Sequence, residues 1–247
     1  MAESSLARRC VAEGFATFAL VFAGCGAIVV DSERGGTLGQ VGISATFGLV
    51  IMVMIYAAGH VSGAHINPAV TLSFVATRHF SGRDALGYVP AQLVGAVAGA
   101  LLLRLAWEGT PADLGATVPS VGVGSAFVYE FVLTAFLMFV IMAVATDTRA
   151  VGAAAAIAIG GTVALDALFG GPVTGASMNP ARSFGPALVA SEWTDFWIYV
   201  LAPLSGAIAG ALLYGLIRGE HSRGVDPVGG VIEGQGHERD QRLTSTG

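Results

Sequence analysis

The chain has 247 residues, of which 54% are hydrophobic and 12% are charged, and its formal net charge is −5. Soluble domains carry about 25% charged residues, so this composition is typical of a membrane protein. It excludes a disordered chain, and 12 basic against 17 acidic residues exclude a nucleic-acid binder. Two cysteines, Cys10 and Cys25, are too few for a disulfide-stapled secreted module.

Six apolar stretches are each long enough to cross a hydrocarbon core of about 30 Å as a helix. The first carries Glu13 and is longer than the apolar region of a cleavable signal. A transmembrane β-barrel needs short segments of alternating polarity instead. We therefore predict an all-α membrane protein. In chain order, the predicted spans lie near 11–30, 41–60, 85–106, 124–145, 151–170 and 196–217.

The arginines predict the orientation of these spans. Threading six helices places nine of them on one side: Arg8, Arg9, Arg78, Arg83, Arg149, Arg218, Arg223, Arg239 and Arg242. Basic residues mark the cytoplasmic side, so both termini are expected there, in a multi-pass protein of the cell inner (plasma) membrane. Residues 1–218 are expected to form a single channel domain, and the polar stretch 219–247 a disordered cytoplasmic tail.

The chain contains an internal repeat. His60–Val70 and Pro172–Arg182 share a Gly-Ala-x-x-Asn-Pro-Ala pattern, and the two asparagines are 112 residues apart. The repeats cover about 8–106 and 124–218. Because three spans make one repeat, the second copy enters the membrane inverted, which predicts a site at the midplane between the halves.

Each repeat contains an Asn-Pro-Ala motif before an apolar segment too short to span, near 67–77 and 179–189. The motif residues are Asn67, Pro68, Ala69, Asn179, Pro180 and Ala181. Asparagine is a favoured N-cap and proline a favoured first helical residue. At 1.5 Å per residue these helices are about 16 Å long, half the hydrocarbon thickness. We expect two re-entrant half-helices that meet N-terminus to N-terminus.

Two positive helix ends at one point disfavour cations. The Asn67 and Asn179 amides can donate hydrogen bonds to a passing oxygen, and Arg182 adds a permanent positive charge. Such a lining replaces part of the hydration of a neutral hydroxylated solute and repels cations. The pattern therefore predicts a pore for uncharged solutes.

These residues resemble those of the aquaporin, or major intrinsic protein, family, over about residues 8–218. The resemblance implies six helices plus two half-helices, a homotetramer in membrane lipid with one pore per subunit, and no cofactor. It also implies a narrow selectivity filter, located by spacing from the two asparagines and formed by Phe47, Ala167, Ala176 and Arg182.

The filter departs from that of strict water channels, which carry histidine at the position of Ala167. The surrounding sequence is most similar to the nodulin-like branch, whose members pass water, glycerol, urea or neutral metalloid acids. Ser183 and Ala187 instead resemble water channels. We predict a passive channel for water and small uncharged solutes that excludes ions and protons, with a strict water channel as the alternative.

Three further residues are expected near the pore. In this family, glutamates at the positions of Glu13 and Glu130 support the irregular loops, and His65 is expected in the inner vestibule. Asp166 has no repeat counterpart, and it either faces a neighbouring subunit or hydrogen-bonds locally. No third ligand accompanies His60 and His65, so no metal site is predicted.

Two other classes remain open alternatives. A gradient-coupled transporter also uses inverted repeats, but it needs charged coupling residues near the midplane. An intramembrane hydrolase needs a nucleophile with a paired base, which Ser177 lacks in the sequence. We therefore predict no catalytic residues and no enzymatic activity.

Overall fold

The structure, a computed structural model, describes residues 4–146 and 154–218. These residues form six long helices and two short ones. In chain order they are α1 (Leu6–Glu33), α2 (Gly39–Ser62), α3 (Pro68–Ala76), α4 (Gly82–Ala106), α5 (Val123–Ala145), α6 (Ala155–Thr174), α7 (Pro180–Ala190) and α8 (Ile198–Arg218). The predicted fold class is confirmed: each long helix has the length and hydropathy of a membrane span.

Residues up to Tyr214 form one compact unit, which contains the site described below. The remainder, from Gly215, is a second unit, of which the last four residues of α8 are described. The predicted cytoplasmic tail, 219–247, lies outside the described residues, as do Arg149 and residues 151–153 of the predicted fifth span.

The first span is longer than its apolar stretch predicts. It begins at Leu6 instead of near residue 11, with Ser5 as N-cap and Arg9 in its first turns. Arg9 donates to Asp84 Oδ2 at 2.8 Å and to Tyr88 Oη at 2.8 Å. These bonds pair the arginine charge, so the helix continues into the polar boundary. A π-helical turn, Val21–Cys25, interrupts α1 near its middle.

The fifth span ends four residues later than predicted. The predicted span ends near residue 170, yet α6 continues through Pro172 to Thr174. Pro172 has no N–H to donate to the carbonyl of residue 168, so α6 continues past the proline with one backbone hydrogen bond missing. Gly175, with φ +86°, ends α6, just as Gly63, with φ +88°, ends α2.

Small residues let the spans approach closely. A Cβ added to Gly95 or Gly99 in α4 would collide with the α1 backbone at Gly14 and Phe18. Gly206 and Gly210 in α8 abut the α5 backbone in the same way. The contacts therefore repeat between the halves, as expected of small-xxx-small faces in membranes.

Candidate functional site

The two half-helices begin at one place in the interior. Asn67 caps α3 and accepts from Ala69 N at 2.8 Å, while Asn179 caps α7 and accepts from Ala181 N at 3.0 Å. Asn67 Nδ2 donates to Met178 O at 2.7 Å, and Asn179 Nδ2 donates to Ile66 O at 2.9 Å. The two motif loops are thus joined reciprocally, and each amide keeps a second N–H.

An irregular loop precedes each half-helix, and its backbone is strained. Ala64 and Ile66 have φ of +47° and +59°, and Ala176 and Met178 have φ of +42° and +54°. Residues other than glycine seldom adopt this left-handed region, at a cost of about 1–3 kcal/mol each. The strain occurs at matched positions of the two repeats, so other interactions must stabilise both loops.

Two buried glutamates supply such interactions. The Glu13 carboxylate accepts from His65 N at 2.9 Å, Ile66 N at 2.7 Å and Ser62 Oγ at 2.7 Å. Both glutamates are fully buried. The carboxylate of Glu130 makes the equivalent set in the second repeat, accepting from Ser177 N, Met178 N and Thr174 Oγ1.

A cavity of about 130 Å³ lies along the interior, large enough for several water molecules. Its lining is mostly apolar, and the predicted site residues that it brings together are Phe47, His65, Asn67, Ala167, Ala176, Asn179 and Arg182. Both motif asparagines and all four predicted filter positions therefore border one cavity. Glu13 and Glu130 lie behind the loops that form part of its wall.

Phe47 and Arg182 form the bulky side of this cavity. The Arg182 Cζ lies 5.0 Å from the centroid of the Phe47 ring, within the range of a cation–π contact. Arg182 is 2% exposed and its Nη1 donates to Gly115 O at 2.7 Å. Ala167 and Ala176 contribute only methyl groups. The arrangement combines one fixed positive charge with two small side chains.

A contact that no local sequence pattern predicts fixes the backbone at Ala167. Gln40 in α2 donates from Nε2 to Ala167 O at 2.6 Å and lies within 3.2 Å of Ser44 Oγ. The pair is 127 residues apart in the chain, which is why neither periodicity nor the repeat indicates it.

His65 lies in an aromatic cluster at one end of the cavity. Its ring is 5.0 Å from Phe74, 4.7 Å from Phe80 and 5.2 Å from Tyr88, between ring centroids. Its Nδ1 is 3.1 Å from Thr71 Oγ1. The position agrees with a vestibule residue whose ring orientation is fixed by packing.

Two tyrosines were not singled out as structural partners, although the repeat relates them. Tyr88 Oη donates to Ser62 O, and Tyr199 Oη donates to Thr174 O, both at 2.7 Å. Each therefore binds the last residue of the helix before a motif loop. Their spacing of 111 residues matches the repeat and is the signal that could have identified them.

Asp166 follows neither of the two expectations. It is fully buried within the chain, so it does not face a neighbouring subunit. Its two carboxyl oxygens have no hydrogen-bond partner among the described residues. It is also absent from the cavity lining that those residues form.

Fold and cavity together define a polytopic membrane protein in which two half-helices meet beside an internal cavity. The sequence profile of the Major intrinsic protein family matches residues 1–214. The chain belongs to this family, the aquaporins, which are membrane channels and not enzymes.

Curated relatives agree with this assignment. The chain is 53% identical to Aquaporin NIP1-4 of Oryza sativa subsp. japonica over 208 residues, which are 84% of this chain and 76% of that protein. It is 50% identical to Nodulin-26 of Glycine max over 211 residues, 85% of this chain and 78% of that one. The predicted similarity to the nodulin-like branch is confirmed.

A solved structure has the same fold. The X-ray structure of the aquaglyceroporin from Plasmodium falciparum superimposes with a TM-score of 0.74 and 25% identity. The match covers 85% of this chain and 96% of the other.

Proposed function

We propose that this chain is a passive channel for water and small uncharged solutes, with glycerol as the principal solute and urea and neutral metalloid acids as further permeants. The observation that carries the proposal is the shared cavity of the motif asparagines, Phe47 and Arg182, with alanine at positions 167 and 176. The small side chains at these two positions favour passage of solutes larger than water.

Selectivity follows from the lining. The spare N–H groups of Asn67 and Asn179 and the donors of Arg182 can replace part of the hydration of a hydroxylated solute. A cation meets one fixed positive charge and the N-termini of two helices, so it is repelled. The mostly apolar remainder of the wall offers no substitute for the hydration shell of an ion.

The two glutamates act as structural supports in this proposal. Their carboxylates accept backbone N–H groups of loops that would otherwise relax from left-handed geometry. A relaxed loop would displace the motif carbonyls and asparagines, so these acids act by supporting the loops and not as a proton relay.

The names of the relatives support the wider solute range. The solved structure with the same fold is named an aquaglyceroporin, and the similar curated proteins are named Aquaporin NIP1-4 and Nodulin-26. A strict water channel is the second candidate. It is favoured by the contact between Phe47 and Arg182, which narrows one side of the cavity.

The assembly and its location belong to the same proposal. The family suggests a homotetramer in membrane lipid, and the arginine distribution supports both termini in the cytoplasm of a cell whose inner (plasma) membrane contains the protein. Residues 1–218 would form the single channel domain, with the tail outside it.

Osmotic shrinkage of proteoliposomes tests the channel. Light scattering after a sucrose step measures water permeability, and a glycerol step measures solute permeability. We expect both to exceed those of empty liposomes. Ala167→Trp, which fills the cavity, should abolish both, whereas Ala106→Trp, at an exposed helix end, should not. Rates equal to those of empty liposomes would contradict the channel, and a water response without a glycerol response would leave the strict water channel.

A further inference from the structure

The first spanning helix contains a π-helical turn, Val21–Cys25, beside the cavity. Such turns are rare and frequently occur at functional sites. The additional residue rotates the rest of the helix by about 100° relative to an uninterrupted α-helix. Val21 and Cys25 are fully buried, so the turn packs into the interior of the bundle. Two residues of this turn contact groups that belong to the proposed filter or hold it in position.

Gly24, within the turn, lies against the ring of Phe47. A Cβ built on Gly24 would be 2.8 Å from Phe47 Cζ and closer still to Cδ1 and Cε1. Phe47 borders the cavity, whereas Gly24 is absent from the lining formed by the described residues. The ring therefore separates Gly24 from the cavity, and it can lie back from the passage because residue 24 has no side chain.

Cys25, the next residue, borders the backbone that positions Arg182. A Cβ on Gly115, whose φ is +76°, would be 2.8 Å from Cys25 Cβ and 3.0 Å from Cys25 Cα. Gly115 contributes the carbonyl that accepts from Arg182 Nη1. Adjacent residues of one turn thus contact Phe47 and the acceptor of Arg182.

We propose that Gly24 is a specificity-determining residue that sets the position of the Phe47 ring, and thereby the width of the filter, from behind the pore wall. The inference rests on the proposed function, since it takes the filter to select solutes by size. A methyl group at position 24 would meet the far end of the Phe47 side chain, which can rotate. The ring would move into the passage, and the larger solute would lose more flux than water.

The direct test is Gly24→Ala, with Gly161→Ala as the matched control because an added Cβ there meets nothing within 4 Å. In proteoliposomes we expect Gly24→Ala to lower glycerol permeability about tenfold, as steric changes of one methyl group in a selective site do. Water permeability should fall less, and Gly161→Ala should change neither. An unchanged ratio of glycerol to water permeability in Gly24→Ala would overturn the proposal.

If Gly24→Ala alone does not fold, variants that lack the Phe47 ring provide a second test. Phe47→Ala should raise glycerol permeability, and adding Gly24→Ala to it should have no further effect. Gly24→Leu in the same background places atoms where the ring was and should lower glycerol permeability again. Two results would contradict the inference. One is an equal loss of glycerol permeability from Gly24→Ala in the presence and in the absence of the Phe47 ring. The other is an unchanged glycerol permeability when Gly24→Leu is added to Phe47→Ala.

Failure of the proposed solute range is distinguishable from failure of this inference. If the wild-type protein passes water but no glycerol, the solute range is wrong. The water permeability of the same variants then tests the role of Gly24: Gly24→Ala should lower water permeability only when Phe47 is present. A loss of water permeability that is independent of Phe47 would overturn the role of Gly24.

Discussion

At the scale of single residues, the two buried glutamates share one kind of environment and Arg182 has another. Glu13 and Glu130 are satisfied by backbone and hydroxyl donors. Arg182 donates to one carbonyl, contacts one aromatic ring and borders the cavity. Of these groups, only Arg182 lines the cavity, and the proposed solute range depends on the small side chains of Ala167 and Ala176.

Ala167 is the residue on which the proposed solute range depends most. Ala167→His adds a ring and a polar donor to the filter wall, so glycerol permeability should fall about tenfold or more while water permeability falls less. Stopped-flow light scattering on proteoliposomes measures both. Ala106→His controls for the substitution itself. Equal reduction of both fluxes would show that position 167 does not select by size.

The glutamates yield a prediction for stability. Glu130→Gln leaves one acceptor oxygen and brings an amide NH₂ group toward the backbone donors Ser177 N and Met178 N. A buried donor without a partner costs about 1–3 kcal/mol, so the melting temperature in detergent should fall and water permeability with it. Glu108→Gln, at an exposed position, should have no effect. A melting temperature for Glu130→Gln equal to that of wild type would contradict the supporting role.

At the scale of elements, the repeat made most of the fold predictable. Apolar length gave the six spans, and Asn-Pro after a polar turn gave the two half-helices with bounds within about one residue of those observed. Both signals are local in sequence and rest on capping chemistry and membrane thickness. The ends of α1 and α6 were wrong by several residues, because Arg9 pairs with Asp84 and because Gly175, not Pro172, ends its helix.

The filter positions were predicted from the family resemblance together with their spacing from the two asparagines. Phe47, Ala167, Ala176 and Arg182 all border the cavity. Contacts between distant segments without a repeat partner gave no local signal. These include Gln40 with Ala167 O, Gly24 with the Phe47 ring and Thr117 with Ser183 Oγ.

Helix packing gives a prediction at this scale. A Cβ on Gly210 would collide with the backbone of α5 at Ala135. Gly210→Val should therefore force α8 away from α5 and destabilise the protein by about 1–3 kcal/mol, a typical cost of overpacking. Thermal unfolding in detergent measures it, with Gly161→Val as the control at an open position. Equal melting temperatures for the two variants would contradict close packing of α5 and α8.

At the scale of the whole molecule, the charge distribution predicts an orientation. Threading the six predicted spans in order puts nine arginines on one side of the membrane and the acidic residues Asp31, Glu33, Glu108 and Asp113 on the other. A tag at the C-terminus should be cleaved by protease in inside-out vesicles and protected in right-side-out ones. Cleavage only in right-side-out vesicles would reverse the orientation.

The lining of the cavity also distinguishes a channel from a gradient-coupled transporter. The described cavity has no acidic residue in its lining, so it offers no carboxylate to bind a coupling cation. Asp166, the remaining intramembrane acid of interest, lies away from that lining. Flux should therefore follow the concentration gradient of the solute alone.

Uptake of labelled glycerol into proteoliposomes tests this account most directly. Initial rates are measured with no ion gradient, with an imposed proton gradient and with an imposed sodium gradient, and Ala167→Trp serves as the blocked control. The account predicts rates above those of the blocked variant that are the same under all three conditions. Rates equal to those of Ala167→Trp, or rates that change with either ion gradient, would contradict a passive channel for small uncharged solutes.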